Sequence, residues 1–239
     1  MPLLTQLERD ADAVEMMDRP SSSGELAGAL EAITQLNRFF GGCRLTLRHV
    51  RHLLAPLPAD KLVTMLDVGT GAADIPVALV RWARRAGRRI RMLALDRDSA
   101  TLAYARRSAA AYPEITTVQG DALALPVRPG SVDIVISAMT LHHLQPEEAV
   151  RYLAEIDATS RIGWVVNDLV RGRVAHRLVW AATRLFSRNA MARHDGPLSI
   201  LRSYTPPEVA ALCEKAGLFD VNVTHYPMLF RQCAVRVKP

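Results

Sequence analysis

The spacing of apolar residues changes period along the chain. From Leu26 it is helical, with Leu26, Leu30, Ile33, Leu36 and Phe40 on one face. Gly41-Gly42 then interrupts, and Leu47, Val50, Leu53 and Leu54 mark a second helix that stops before Pro56 and Pro58. From Leu62 onward, short β-rich apolar runs alternate with amphipathic stretches, the pattern of a parallel sheet covered on both faces. It predicts five successive parallel strands: Leu62 to Asp67, Ile90 to Asp96, Ile115 to Gln119, Val132 to Ser137 and Arg161 to Asp168. Helices are expected near 73–86, 98–111 and 146–159. A further helical stretch carries Val174, Leu178, Ala181, Ala182 and Leu185 on one stripe, and a polar loop is expected from Asn189 to Tyr204. A helix from Pro206 to Ala216 and two apolar runs, Asp220 to Tyr226 and Arg231 to Val237, predict a closing antiparallel pair.

These elements divide the chain into a flexible arm over 1–24, ending in Asp18-Arg19-Pro20-Ser21-Ser22-Ser23-Gly24, a helical cap over 25–60, and an α/β domain over 61–239. Residues 170–205 form a helical insertion expected above the sheet on the substrate side. At 239 residues and 49% hydrophobic, one such domain with its additions uses the whole length. No apolar run approaches the ~18 residues of a membrane span, and the start carries acids where a secretory signal carries bases, so a cytoplasmic protein is expected. Cys43, Cys213 and Cys233 lack metal-ligand spacing and read as reduced structural thiols, and no metal-binding set is identified.

The formal charge of +6 raises a nucleic-acid partner, chiefly through Arg81, Arg84, Arg85, Arg88, Arg89 and Arg91. Those arginines fall around a helix end, where cations offset the dipole, and no interleaved aromatics accompany them to stack bases. Arginine also outnumbers lysine 27 to 3, a bias spread over the whole chain. No nucleic-acid partner is therefore expected.

Chemistry concentrates at the predicted strand ends. The first strand stops at Asp67, followed by Val68-Gly69-Thr70-Gly71-Ala72-Ala73-Asp74, a turn whose glycines allow close backbone approach to a ligand at a helix N-terminus. The second strand ends at Asp96, about 25 residues on, where an acid can accept from both hydroxyls of a ribose. Asp98 is the better helix cap, which leaves Asp96 for ligand. Gly120-Asp121-Ala122 follows the third strand, and Ser137-Ala138-Met139 with Leu141-His142-His143-Leu144 follows the fourth.

With these four ordered motifs the chain resembles the class I S-adenosylmethionine-dependent methyltransferases from about residue 62 to 237. The resemblance implies a Rossmann-like, seven-stranded, mostly parallel sheet with an antiparallel last strand. It implies S-adenosyl-L-methionine as methyl donor and S-adenosyl-L-homocysteine as product. By that resemblance Asp67, Gly69 and Gly71 hold the methionine part, Asp96 the ribose, and Asp121 and Ala122 the adenine, with Thr70, Asp74, Arg97 and Ser137 completing the donor site. Ala73 stands where the family has a third glycine. Leu141-His142-His143-Leu144 resembles the ubiquinone-type small-molecule methyltransferases, and no Asn/Asp-Pro-Pro-aromatic signature of base-amine methylation is present. The segments around Asn167-Asp168, Arg193-His194-Asp195-Gly196-Pro197 and Arg202-Ser203-Tyr204 resemble bacterial methyltransferases of aromatic polyketide secondary metabolism.

The resulting expectation is O-methylation of a small phenolic or polyketide-like acceptor by a monomer or homodimer. Carbon methylation of a ring or quinol, nucleic-acid methylation and a non-catalytic binding protein are the alternatives. A phenol needs a proton acceptor, which a histidine supplies near neutral pH. His143 is the first catalytic candidate and His194 the second, with His142, Asp168, Arg171, Trp180 and Arg202 as acceptor-binding candidates.

Overall fold

The computed structural model describes residues 7–18, 23–187 and 189–238. Helices α1 (Ser23–Phe39) and α2 (Gly42–Leu54) lead into β1 (Leu62–Val68), α3 (Asp74–Arg85), β2 (Arg89–Asp96), α4 (Ser99–Ser108), β3 (Ile115–Gln119) and β4 (Val132–Ala138). The chain continues through α5 (Pro146–Thr159), β5 (Ser160–Leu169), α6 (Arg173–Phe186), α7 (Ala190–Arg202), α8 (Pro206–Lys215), β6 (Asn222–Tyr226) and β7 (Arg231–Val237). The sheet order is β3-β2-β1-β4-β5-β7-β6, parallel except that β7 runs antiparallel to both β5 and β6. This is the seven-stranded Rossmann-like architecture. Chain order reverses between β1 and β4, so the loops leaving their carboxyl ends diverge and open a crevice.

The period of two along the strands decides what covers each face. Leu66, Val68, Val135, Trp164 and Val166 pack under Tyr152, Leu153 and Ile156 of α5 and Val209 and Leu212 of α8. Met65, Met92, Ile134, Ile136 and Val165 pack on the other face, under Leu53 and Leu54 of α2 and Ile75, Leu79 and Val80 of α3. The second of the two helices expected as a cap therefore belongs to the sheet's own covering layer. Trp164 and Val166, like Met65, are buried because the central strands are covered on both sides.

Two other regions differ from expectation. Where a polar loop was expected over 189–204, α7 forms. Its N-terminus is capped by the Asn189 side chain, which accepts from the Ala192 N–H at 2.9 Å, and the helix passes through Pro197. Residues 7–17, expected within a flexible arm, lie against α7 and the short turn Leu141–His143. Arg9 donates to the carbonyls of Arg202 (2.6 Å) and Leu144 (2.8 Å) and covers the Tyr204 ring at 4.0 Å. Asp10 N–H donates to Leu201 O (3.2 Å), Gln145 donates to Ala11 O (2.9 Å), and Arg171 donates to Leu7 O (2.7 Å). Arg19 to Ser22 of that arm lie outside the described residues. No helix among the described residues is long and apolar enough to cross a membrane.

Candidate active site

The crevice at the carboxyl edge of β1, β2 and β4 opens into one cavity of about 620 Å³, within the usual range of small-molecule sites. Along one side stand Asp67, Gly69, Thr70, Gly71 and Asp74 from the first turn, Asp96 and Arg97 from the end of β2, and Asp121 and Ala122 beyond β3. Gly69 has φ +72, and a Cβ there would collide with the Thr140 hydroxyl, so the turn demands glycine. Ala73 also takes a left-handed conformation, φ +59, where the family's third glycine would sit without strain.

The acids on this side are arranged for a ligand with hydroxyls and positive charge. Asp96 accepts from the Gly71 N–H at 3.0 Å and from the Asp98 N–H at 3.1 Å, which aims the carboxylate at the cavity with lone pairs to spare. Asp98 caps α4 by accepting from Thr101 N–H at 2.7 Å, as its position suggested. Asp121 accepts from Leu123 N–H at 2.9 Å. Asp67 is 2% exposed and accepts from the Thr70 hydroxyl at 2.7 Å. Burial, helped by the neighbouring charges of Asp74 and Asp96, pushes the Asp67 carboxyl up to about 7. A buried carboxylate beside a cavity, with no cation against it among the described residues, suits a ligand that brings one. These are the positions at which the sequence expects the donor's ribose (Asp96), methionine end (Asp67) and adenine (Asp121), and all three line the same cavity. Ser137 is placed differently, one layer below, where its hydroxyl donates to Val68 O at 3.0 Å and buttresses the turn.

The opposite side is assembled from distant segments: Glu15 and Met17, Leu30, Ile33 and Phe40 around α1, Val179 on α6, Met191 on α7 and Phe230 before β7. It is largely apolar apart from the His142–His143 wall. His142 is buried and held at two points by Asp168, whose carboxylate accepts from the His142 N–H (2.9 Å) and lies 2.7 Å from Nδ1. Burial disfavours that carboxylate, yet the His142 ring and the N–H donors hold it below the ordinary carboxylate range. The His143 ring stacks on His142 with centroids 4.2 Å apart and is a quarter exposed. Glu15 faces both rings and accepts from the Ser199 hydroxyl at 2.9 Å, with Arg202 Nη1 at 3.9 Å. Burial raises its carboxyl.

Other sequence candidates lie off the cavity. His194 is half exposed and pairs with Asp195 at 2.7 Å, while Asp195 accepts from the Met16 and Met17 N–H groups and so pins the N-terminal segment. Arg171 is committed to Leu7 O, Ser203 O and Glu208. Trp180 is half exposed beneath Arg184, outside the cavity lining. Conversely, sequence reading missed Glu15, Asn37 and Arg231. Arg231 is buried and donates to Asn37 Oδ1 at 2.6 Å and Asn167 Oδ1 at 3.3 Å, closing the end of the cavity behind Asp74. No local motif marks these three, because each is brought in by a separate element.

Comparison with known proteins agrees with this geometry. The family described as a methyltransferase domain matches residues 65–163, which span β1 to the first part of β5. A curated relative, the 2-phytyl-1,4-naphtoquinone methyltransferase of Thermosynechococcus vestitus, is 28% identical over 183 residues, covering 73% of this chain and 79% of that protein. Among solved structures, a SAM-dependent methyltransferase from Aquifex aeolicus aligns with a TM-score of 0.56 at 17% identity, over 84% of this chain and 95% of that one. Human N-acetylserotonin methyltransferase aligns with a TM-score of 0.63 at 20% identity, over 91% of this chain and 56% of that one. These structural likenesses bear on the fold, while the ordered motifs, the domain match and the curated relative bear on the chemistry. Residues 65–163 are a methyltransferase domain, and with the ordered motifs and the curated relative this supports an S-adenosylmethionine-dependent methyltransferase of class I.

Proposed function

We propose that the enzyme methylates a phenolic oxygen on a small aromatic, polyketide-like acceptor, and that the hydroxyl is ionised at the wall formed by His143, His142 and Glu15. The observation that carries this reading is the position of His143, partly exposed on the cavity wall and stacked on a ring that Asp168 fixes from behind. The bound donor supplies an electrophilic methyl on a sulfonium. Besides ionising the hydroxyl, the chain contributes alignment and exclusion of water. Asp96 and the glycine turn set the donor's place, and Phe40, Val179, Met191 and Phe230 offer apolar surface to a planar ring. The curated relative's name specifies a naphthoquinone, a fused planar system, which supports an aromatic acceptor here.

Labelled methyl transfer to a panel of phenols, naphthols and hydroquinones tests the reading. Aryl methyl ethers are expected as products, with loss of at least about 10²-fold in kcat for His143→Ala. Exclusive ring-carbon methylation would instead establish the carbon-methylating alternative.

A further inference from the structure

The spacing within the acceptor wall is not that of hydrogen bonding. Glu15 Oε1 is 3.6 Å from His142 Nε2, and Oε2 is 3.9 Å from His143 Nε2, both beyond hydrogen-bond reach. Yet the donor atoms of the three side chains all lie within 4.8 Å of one another. Among the described residues His142 Nε2 has no hydrogen-bond partner, although the residue is 1% exposed. Its Nδ1 lies 2.7 Å from the Asp168 carboxylate, so Nδ1–H donates there and Nε2 is the ring atom turned to the cluster. A buried ring nitrogen so placed, 3.6 Å from a buried carboxylate, is a position for a positive charge between the two.

We propose that Glu15, His142 and His143 bind a first-row divalent cation of the zinc type, with Asp168 as the outer carboxylate that orients His142. Two imidazoles and a carboxylate with open positions are a common ligand set for such ions. The carboxylate–histidine pairing behind the site is the usual support for a metal-ligating ring. Ligands about 2.0–2.2 Å from a tetrahedral zinc lie about 3.3–3.6 Å apart, so small side-chain rotations would close the observed spacing. Ser199 and Arg202 then fix the Glu15 carboxylate from outside, and Arg202 adds a positive charge that favours an anionic fourth ligand.

The inference deepens the reading of this wall as the acceptor end and names the form in which the acceptor binds. The cluster lines the cavity, so a phenolic oxygen can take an open position as phenolate, its proton leaving to solvent. The oxygen lone pair then forms the new O–C bond while the C–S bond breaks and its electrons return to sulfur. His143 acts as a ligand in that arrangement, and an acceptor with a second oxygen beside the first would chelate.

Calorimetry with zinc chloride and visible spectroscopy with cobalt(II), on the tag-free full chain, test the site without any acceptor. One equivalent of zinc and a cobalt d–d band are expected. Both should be lost in His143→Ala and Glu15→Gln, affinity should fall about 10–100-fold in Asp168→Asn, and the exposed His52→Ala should change nothing. Absence of stoichiometric binding overturns the proposal, as does binding that survives in both folded ligand variants. His143→Ala, at a partly exposed position, keeps the test valid if Glu15→Gln does not fold. The transfer panel fails separately: zinc binding without methylation of any phenol would refute the acceptor reading and leave the metal site standing.

Discussion

The two sides of the cavity draw on the chain in different ways. Asp67, Asp96 and Asp121 stand at the ends of three neighbouring strands, and each is positioned by atoms within its own turn or the adjacent one. Glu15, Phe40, His143, Val179, Met191 and Phe230 come instead from six separate segments, and they meet only because the whole domain has folded. A side built from strand-end turns can keep one ligand while the other side is rebuilt segment by segment. That separation predicts that substitutions on one side leave binding on the other intact.

The largest effect should come from the acceptor side. His143→Ala is expected to lower kcat by about 10²–10⁴-fold while calorimetry shows unchanged donor affinity; a parallel loss of donor binding would break the separation. Next is Asp96→Ala, which removes charged acceptors of hydrogen bonds at about 1.5–3 kcal/mol each and should weaken donor binding about 100-fold. Unchanged affinity would remove Asp96 from the donor site.

A smaller effect follows from Asp67. Its folded pKa of about 7 lies above the ordinary value, so the neutral carboxyl is favoured in the ligand-free protein. The associated stability is present below the unfolded pKa near 4 and is lost as pH rises through about 7. A cationic donor favours the ionised form, so donor affinity should rise about tenfold between about pH 6 and 8. Asp67→Asn should flatten that rise and raise the melting temperature of the free protein at the alkaline end. The smallest effect is expected for Ala73→Gly. Relief of left-handed strain, about 1 kcal/mol, is offset by lost burial of one methyl, about 0.8 kcal/mol, and by greater backbone entropy of the unfolded chain. Melting temperature within about 2 °C of the parent, with unchanged donor affinity, would show that the missing third glycine is harmless.

The same contrast explains what could be read in advance. The strands and α5 were legible because alternation and capping are written in consecutive residues; Gln145 and Glu148 even form a reciprocal capping box at the start of α5. The acids proposed for the donor were legible because each stands at or just past a strand end. The helix α7 was not, since Gly196-Pro197 reads as a breaker while the forces that hold the segment lie elsewhere, in the Asn189 cap and in Asp195 bonded to Met16 and Met17. Glu15 was hidden for the same reason. The segment carrying it is weakly apolar, and it is held by backbone carbonyls and a guanidinium rather than by a hydrophobic stripe. Hydropathy has no term for such attachment.

The attachment of Arg9 to Arg202, 193 positions apart, also sets an order of assembly. During synthesis the turns that carry Asp67, Asp96 and Asp121 leave the ribosome with their strands, whereas the segment bearing Glu15 emerges before them and finds its berth only after α7 has been made. Contacts of such long sequence separation form late. Nascent chains should therefore be able to hold the methyl donor before the opposing wall exists, and residues 7–17, made before the sheet, should be among the last to settle.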